Sequence, residues 1–85
     1  MLENTAGETI RRYIVEKFPL AKKRGLKHSD QLLESGILDS MGVLELVEFI
    51  EGEFKISLTD EDLLPQNFQS IERISVLVQQ KSEAN

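Results

Sequence analysis

Between Ser40 and Phe54 the apolar residues recur at the spacing of a helix. At roughly 100° per residue, Val43, Leu46, Val47, Ile50 and Phe54 share one sector about 100° wide, the stripe a helix buries against a core. Period-two alternation is weak along the whole chain, so strands are not expected. Such a helix needs partners. Ile10, Ile14 and Phe18, with Tyr13 beside them, lie on one face of a first helix. Ile71, Ile74, Leu77 and Val78 do the same for a last helix starting near Ser70, with Phe68 leading in. The reading is an all-α, four-helix bundle made of three main helices, one short helix and a long first loop.

Local signals set the expected boundaries. Thr5 and Glu8 have the Thr-x-x-Glu spacing of a capping box, weakened by Gly7 within it. Pro19 and Gly25 are expected to end the first helix and open a loop over about 19–39. Leu26, Leu32, Leu33, Ile37 and Leu38 would anchor that loop. The second helix should begin at Asp39 or Ser40 and be followed by a connector, Lys55 to Leu58. Thr59 is expected to cap one or two turns, with Asp60, Glu61 and Asp62 at the positive end of the helix dipole and Pro65 closing the piece. Residues 1–85 read as a single domain whose tail frays from about residue 82.

Composition narrows the function. The chain has 85 residues, 40% of them apolar, no Cys, and a net charge of −5. It therefore has no disulfide, no thiolate metal site and no thiol of its own. Apolar runs reach only three residues, as in Val76 to Val78, so no membrane insertion is expected. No signal-peptide pattern is present, and a cytoplasmic monomer is the expectation. So small a chain spends its core on stability, which speaks against an enclosed substrate pocket and against enzyme activity. Charge is segregated: residues 11–28 hold seven bases against Glu16, net +6, while residues 39–62 hold eight acids against Lys55, net −7. An acidic chain whose bases are not interleaved with aromatics is not expected to bind nucleic acid. The acidic helix suits recognition of basic partner surfaces, or the two stretches are simply solvated faces.

The informative segment is Gly36-Ile37-Leu38-Asp39-Ser40-Met41, at the junction of loop and second helix. Asp and Ser are both good helix caps. If Asp39 takes that duty, the Ser40 hydroxyl stands at the first helical position, free and facing solvent. A phosphate ester there would meet unpaired N–H groups and the positive end of the helix dipole. Asp39 could hold a Mg²⁺ ion against an incoming phosphate. This suits modification of the serine better than catalysis by it.

On these residues the chain resembles the acyl carrier proteins and their peptidyl and aminoacyl relatives. They share Asp-Ser-Leu or Asp-Ser-Met at the start of the second helix, here Asp39-Ser40-Met41. The likeness extends through Leu32-Leu33-Glu34, the helix from Leu44-Glu45-Leu46-Val47 to Glu53-Phe54, and Lys55-Ile56. The resemblance implies that Ser40 carries 4′-phosphopantetheine, transferred from coenzyme A by a phosphopantetheinyl transferase. The arm would hold an acyl or aminoacyl thioester, loaded by an activating ligase and passed to downstream transferases or synthases in lipid or secondary-metabolite biosynthesis. A chain without Cys needs such an imported thiol. The acid that fatty-acid-synthesis carriers place after the motif is replaced by Gly42, and Lys22 to Lys27 form a basic loop unlike theirs. Gly-Ile-Leu-Asp-Ser-Met looks closer to D-alanyl carriers and other specialised carriers. The alternative is an unmodified acidic helical interaction module.

Opposite the buried stripe of the second helix lie Met41, Glu45 and Glu48, flanked on the Ser40 side by Leu44 and Glu51. This face is expected to dock partner enzymes, an apolar pair framed by carboxylates. Phe49, at the edge of the stripe, is read as structural. His28 is read as a surface loop residue. Adjacent Asp39 and Ser40 could not stand on opposite sides of its ring, so a catalytic triad is set aside. Asp60, Glu61 and Asp62 lack the Gly and distal Glu of a calcium loop, and no metal site is expected.

Overall fold

The computed structural model describes the backbone of residues 5–84 and the side chains of residues 6–23 and 25–82. The cap expected from the Thr5 side chain lies outside the described residues. Four helices run along the chain: α1 (Thr5–Lys17), α2 (Pro19–Arg24), α3 (Ser40–Phe54) and α4 (Ile71–Ala84). Two 3₁₀ turns, Glu61–Leu63 and Pro65–Phe68, link α3 to α4, and no strand occurs among the described residues. The all-α expectation of three main helices and one short one holds.

The core forms where the apolar stripes meet. Ile10 and Ile14 of α1, Leu46 and Ile50 of α3, and Ile71 and Ile74 of α4 are all fully buried, and Phe68 plugs the same core from the second 3₁₀ turn. Each such side chain contributes about 1.5–3 kcal/mol by leaving water. α1 packs chiefly along α4, so α3 lies with one long face open to solvent.

Both prolines behave differently from the sequence reading. Pro19 does not open a loop; it occupies the first position of α2, where a missing N–H costs nothing and the fixed φ suits a helix. Phe18 before it is extended (φ −120°, ψ 108°), the conformation a following proline favours. Ala21 is fully buried, and α2 ends on Gly25 in the left-handed region (φ 65°). The loop is therefore residues 25–39. Leu26, Leu32, Ile37 and Leu38 are buried and anchor it as expected, while Leu33 is half-buried. Backbone bonds tie the loop to the entry of α4: Leu32 N–H donates to Gln69 O (2.7 Å) and Glu72 N–H to His28 O (3.1 Å).

Pro65 likewise begins the second 3₁₀ turn rather than only closing the first. Thr59 does cap the first turn. Its hydroxyl accepts Asp62 N–H (3.3 Å), and Asp62 Oδ2 accepts Thr59 N–H (2.8 Å), a reciprocal pair. Ser70 Oγ accepts Arg73 N–H (3.2 Å) at the entry to α4. α4 extends to Ala84, and the Lys81 Nζ to Asp62 Oδ2 ion pair at 2.8 Å fastens its last turn.

Candidate functional site

The loop reaches α3 through Leu38, which is buried, and Asp39, which is exposed and extended (φ −119°, ψ −172°). Asp39 Oδ1 accepts the Gly42 N–H at 2.8 Å, so Asp39 is the cap and Ser40 the first residue of the helix. The first intrahelical bond runs from Val43 N–H to Asp39 O (2.9 Å), leaving the N–H groups of Ser40 and Met41 without a helical acceptor. The Ser40 side chain is exposed and makes no hydrogen bond to any described residue. No acidic side chain follows it in the first turn. An anion esterified to Ser40 Oγ would thus meet free N–H groups and the helix dipole, with the Asp39 carboxylate as its neighbour in sequence.

Beside Ser40 opens an apolar groove of about 320 Å³. It is lined by Ser40, Val43 and Leu44 of α3, Leu33 of the loop, and Leu63, Pro65 and Phe68 of the two 3₁₀ turns. The sequence reading assigned no pocket here. The groove draws on three separate segments, Leu33, α3 and the 3₁₀ turns, which only the fold brings together.

Most of the expected partner face lies where helical spacing puts it. Met41 is 66% and Leu44 56% exposed, and Glu45 and Glu48 are exposed beside them. Glu51, on the Ser40 side of that face, is less open than the others. It is half-buried, and its Oε2 accepts the Leu58 N–H (2.9 Å), folding the connector back onto α3. The spacing that set Glu51 near Ser40's side also set it above the returning chain, which periodicity does not reveal. Phe49 is half-buried and stacks on Tyr13 with ring centroids 4.1 Å apart, in keeping with a structural role. The Tyr13 hydroxyl donates to Glu45 O (3.4 Å). Burial first, then the charges of Glu45 and Glu48, push its pKa above the ordinary tyrosine value.

His28 lies in the loop at the surface, as expected. It is half-buried, with Nε2 3.0 Å from Glu8 Oε2 and its ring against Gly7. It fastens the loop to α1 and has no contact with Ser40. Asp62 is engaged by Thr59 and Lys81, and no cluster of His, Asp or Glu suited to a metal occurs among the described residues. Nor is any described helix long and apolar enough to cross a membrane.

A free serine at the head of an acidic helix has a counterpart among known proteins, for residues 8–78 match the family described as the phosphopantetheine attachment site. The chain belongs to that family. Two relatives fit the assignment. This carrier is 33% identical over 67 residues to the "Probable acyl carrier protein PigG" of Serratia sp., covering 79% of this chain and 77% of that one. It is 37% identical over 54 residues to the "D-alanyl carrier protein" of Lactococcus lactis subsp. cremoris, covering 64% and 68%. It is a thioester-carrying carrier protein whose cofactor is covalent 4′-phosphopantetheine. The residues at the head of α3 fit that group: one unencumbered hydroxyl, unpaired N–H groups next to it, and open solvent around it.

Proposed function

We propose that Ser40 is the residue that accepts the arm, and that the carrier presents acyl or aminoacyl thioesters to partner enzymes in the cytoplasm as a monomer. The observation that carries this reading is the Ser40 hydroxyl, exposed and released from capping because Asp39 caps instead. A phosphopantetheinyl transferase would supply the arm from coenzyme A. Ser40 Oγ gives up its proton and forms the phosphate ester, while the bond to the nucleotide half of coenzyme A breaks and that half leaves. Asp39 Oδ1 is held by Gly42 N–H, so Oδ2 is the oxygen open to a Mg²⁺ ion during the transfer. Once attached, the arm supplies the thiol that a chain without Cys lacks. Relatives named for acyl and for D-alanyl cargo support both cargo classes, loaded by an activating ligase and unloaded by a transferase or synthase. Partners would recognise Met41 and Leu44, with Glu45 and Glu48 framing them, as a helix in a groove.

The test is intact mass after incubation with coenzyme A, Mg²⁺ and a broad-specificity phosphopantetheinyl transferase. The expected result is a gain of one phosphopantetheine that Ser40→Ala abolishes. A full gain in Ser40→Ala, or none in the wild type while a control carrier is modified, overturns the assignment.

A further inference from the structure

Gly42 stands two residues beyond Ser40, on the buried side of the first turn of α3. A Cβ built on it would come 2.9 Å from Phe18 Cε1 and 3.3 Å from Asp39 Oδ1 and Leu38 Cδ2. The first distance is closer than real side chains approach, so the Phe18 ring occupies the space a side chain at position 42 would need. Phe18 is not alone. Its ring meets Tyr13 edge to face (centroids 6.4 Å, planes at 73°), and Tyr13 stacks on Phe49 (4.1 Å, 13°) while its hydroxyl reaches Glu45 O. The aromatic run from α1 and its exit therefore touches α3 at positions 42, 45 and 49, three and four residues apart on one helix face. It ends at the residue whose N–H the Asp39 cap holds.

We infer that Phe18 is a positioning residue for Ser40: its ring, seated on the bare backbone of Gly42, fixes the first turn of α3 and so the direction in which the serine hydroxyl is offered. Holding a nucleophile in a near-attack geometry acts on the chemical step, whereas the exposed face of α3 acts on docking. The two separate in the kinetics of loading. This inference rests on Ser40 as the attachment residue.

The experiment follows the Gly42 amide by hydrogen exchange and the loading reaction by kcat and KM, in Phe18→Ala, Phe18→Leu, Gly42→Ala and the double variant Phe18→Leu/Gly42→Ala. Loss of the ring is expected to raise Gly42 exchange about tenfold while the Ile50 amide stays as it was. kcat should fall about fivefold with KM within about twofold. Gly42→Ala, which forces the ring off its seat, should do the same. The double variant, whose smaller side chain makes room for the new methyl, should recover most of both losses, a coupling expected only for groups in contact. Phe18→Tyr, which keeps the ring, should behave as the wild type. Melting temperature is not the readout, because Ala in place of Gly raises helix propensity by about 1 kcal/mol and masks the effect. Unchanged Gly42 exchange in Phe18→Ala, a rise in KM alone, or additive single and double variants overturns the inference. Exchange at Gly42 requires no loading, so it reports on the brace even if Ser40→Ala shows the arm to be attached elsewhere.

Discussion

Asp39 serves two ends with its two oxygens, and the substitutions Asn and Ala separate them. Oδ1 holds the Gly42 N–H, a capping bond whose removal costs about 1 kcal/mol. Asp39→Asn keeps an oxygen for that bond and loses the charge a Mg²⁺ ion needs. Its melting temperature should match the wild type, while loading by a phosphopantetheinyl transferase slows about tenfold, a barrier increase of about 1.4 kcal/mol. Asp39→Ala should slow loading as much and also melt about 4–8 °C lower, the shift expected per kcal/mol in a domain of this size. Thermal melts and initial rates on the same preparations decide the matter. Wild-type loading by Asp39→Asn would reduce the residue to a cap. Much of this was legible from residue types alone, because a cap and the serine after it are local features. The seat of Phe18 on Gly42 was not, since residues 24 apart meet there only through the fold.

Among the elements, α3 was readable in extent from its apolar stripe and N-cap, whereas the left-handed Lys55 that closes it at φ 57° was not. Nor were the pieces around the prolines. A proline reads as a stop, yet it equally suits the first position of a new turn, and what decides is whether the preceding residue is extended and the next turn finds a core. Phe18 and Leu64 are extended, and Ala21 and Phe68 are buried, so Pro19 and Pro65 begin elements. The first 3₁₀ turn also bears on α4 through Asp62. Its carboxyl is held below the ordinary aspartate value, first by the Lys81 hydrogen bond and then by the Thr59 N–H, against a smaller opposing effect of burial. A carboxyl that titrates lower when folded stabilises the fold above its unfolded value near pH 4 and stops doing so as pH falls through the folded one. Lys81→Met should therefore lower the urea midpoint at pH 7, by about 1 kcal/mol in stability for a half-buried pair at the surface. The gap from the wild type should begin to narrow as pH falls to about 4 and close once the folded carboxyl is protonated. A gap that does not narrow at all as pH falls below about 4 would assign Lys81's contribution to its alkyl chain.

At the scale of the molecule, the segregated charges remain unspent. Among the described residues no ion pair joins the bases of residues 11–28 to the acids of residues 39–62; the two ion pairs are His28 with Glu8 and Lys81 with Asp62. Arg11 instead donates to Leu26 O (2.9 Å), fastening the loop to α1. Among the described residues, Glu45 and Glu48 form no ion pair and are exposed to an approaching surface beside Met41 and Leu44. Their field acts over about 10 Å at 0.1 M salt and about 3 Å at 1 M. If a basic partner surface is steered by it, loading kinetics should show the effect in KM and leave kcat alone. Raising NaCl from about 0.05 to about 0.5 M should increase the wild-type KM several-fold. Glu45→Lys/Glu48→Lys should have a high KM already at low salt, and one that salt no longer raises. Because both side chains are exposed, surface substitution should move stability by no more than about 0.5 kcal/mol each. A wild-type KM indifferent to salt would mean that docking relies on the apolar pair, and a collapse of melting temperature in the double variant would show that the two glutamates are not the free surface groups they are taken to be.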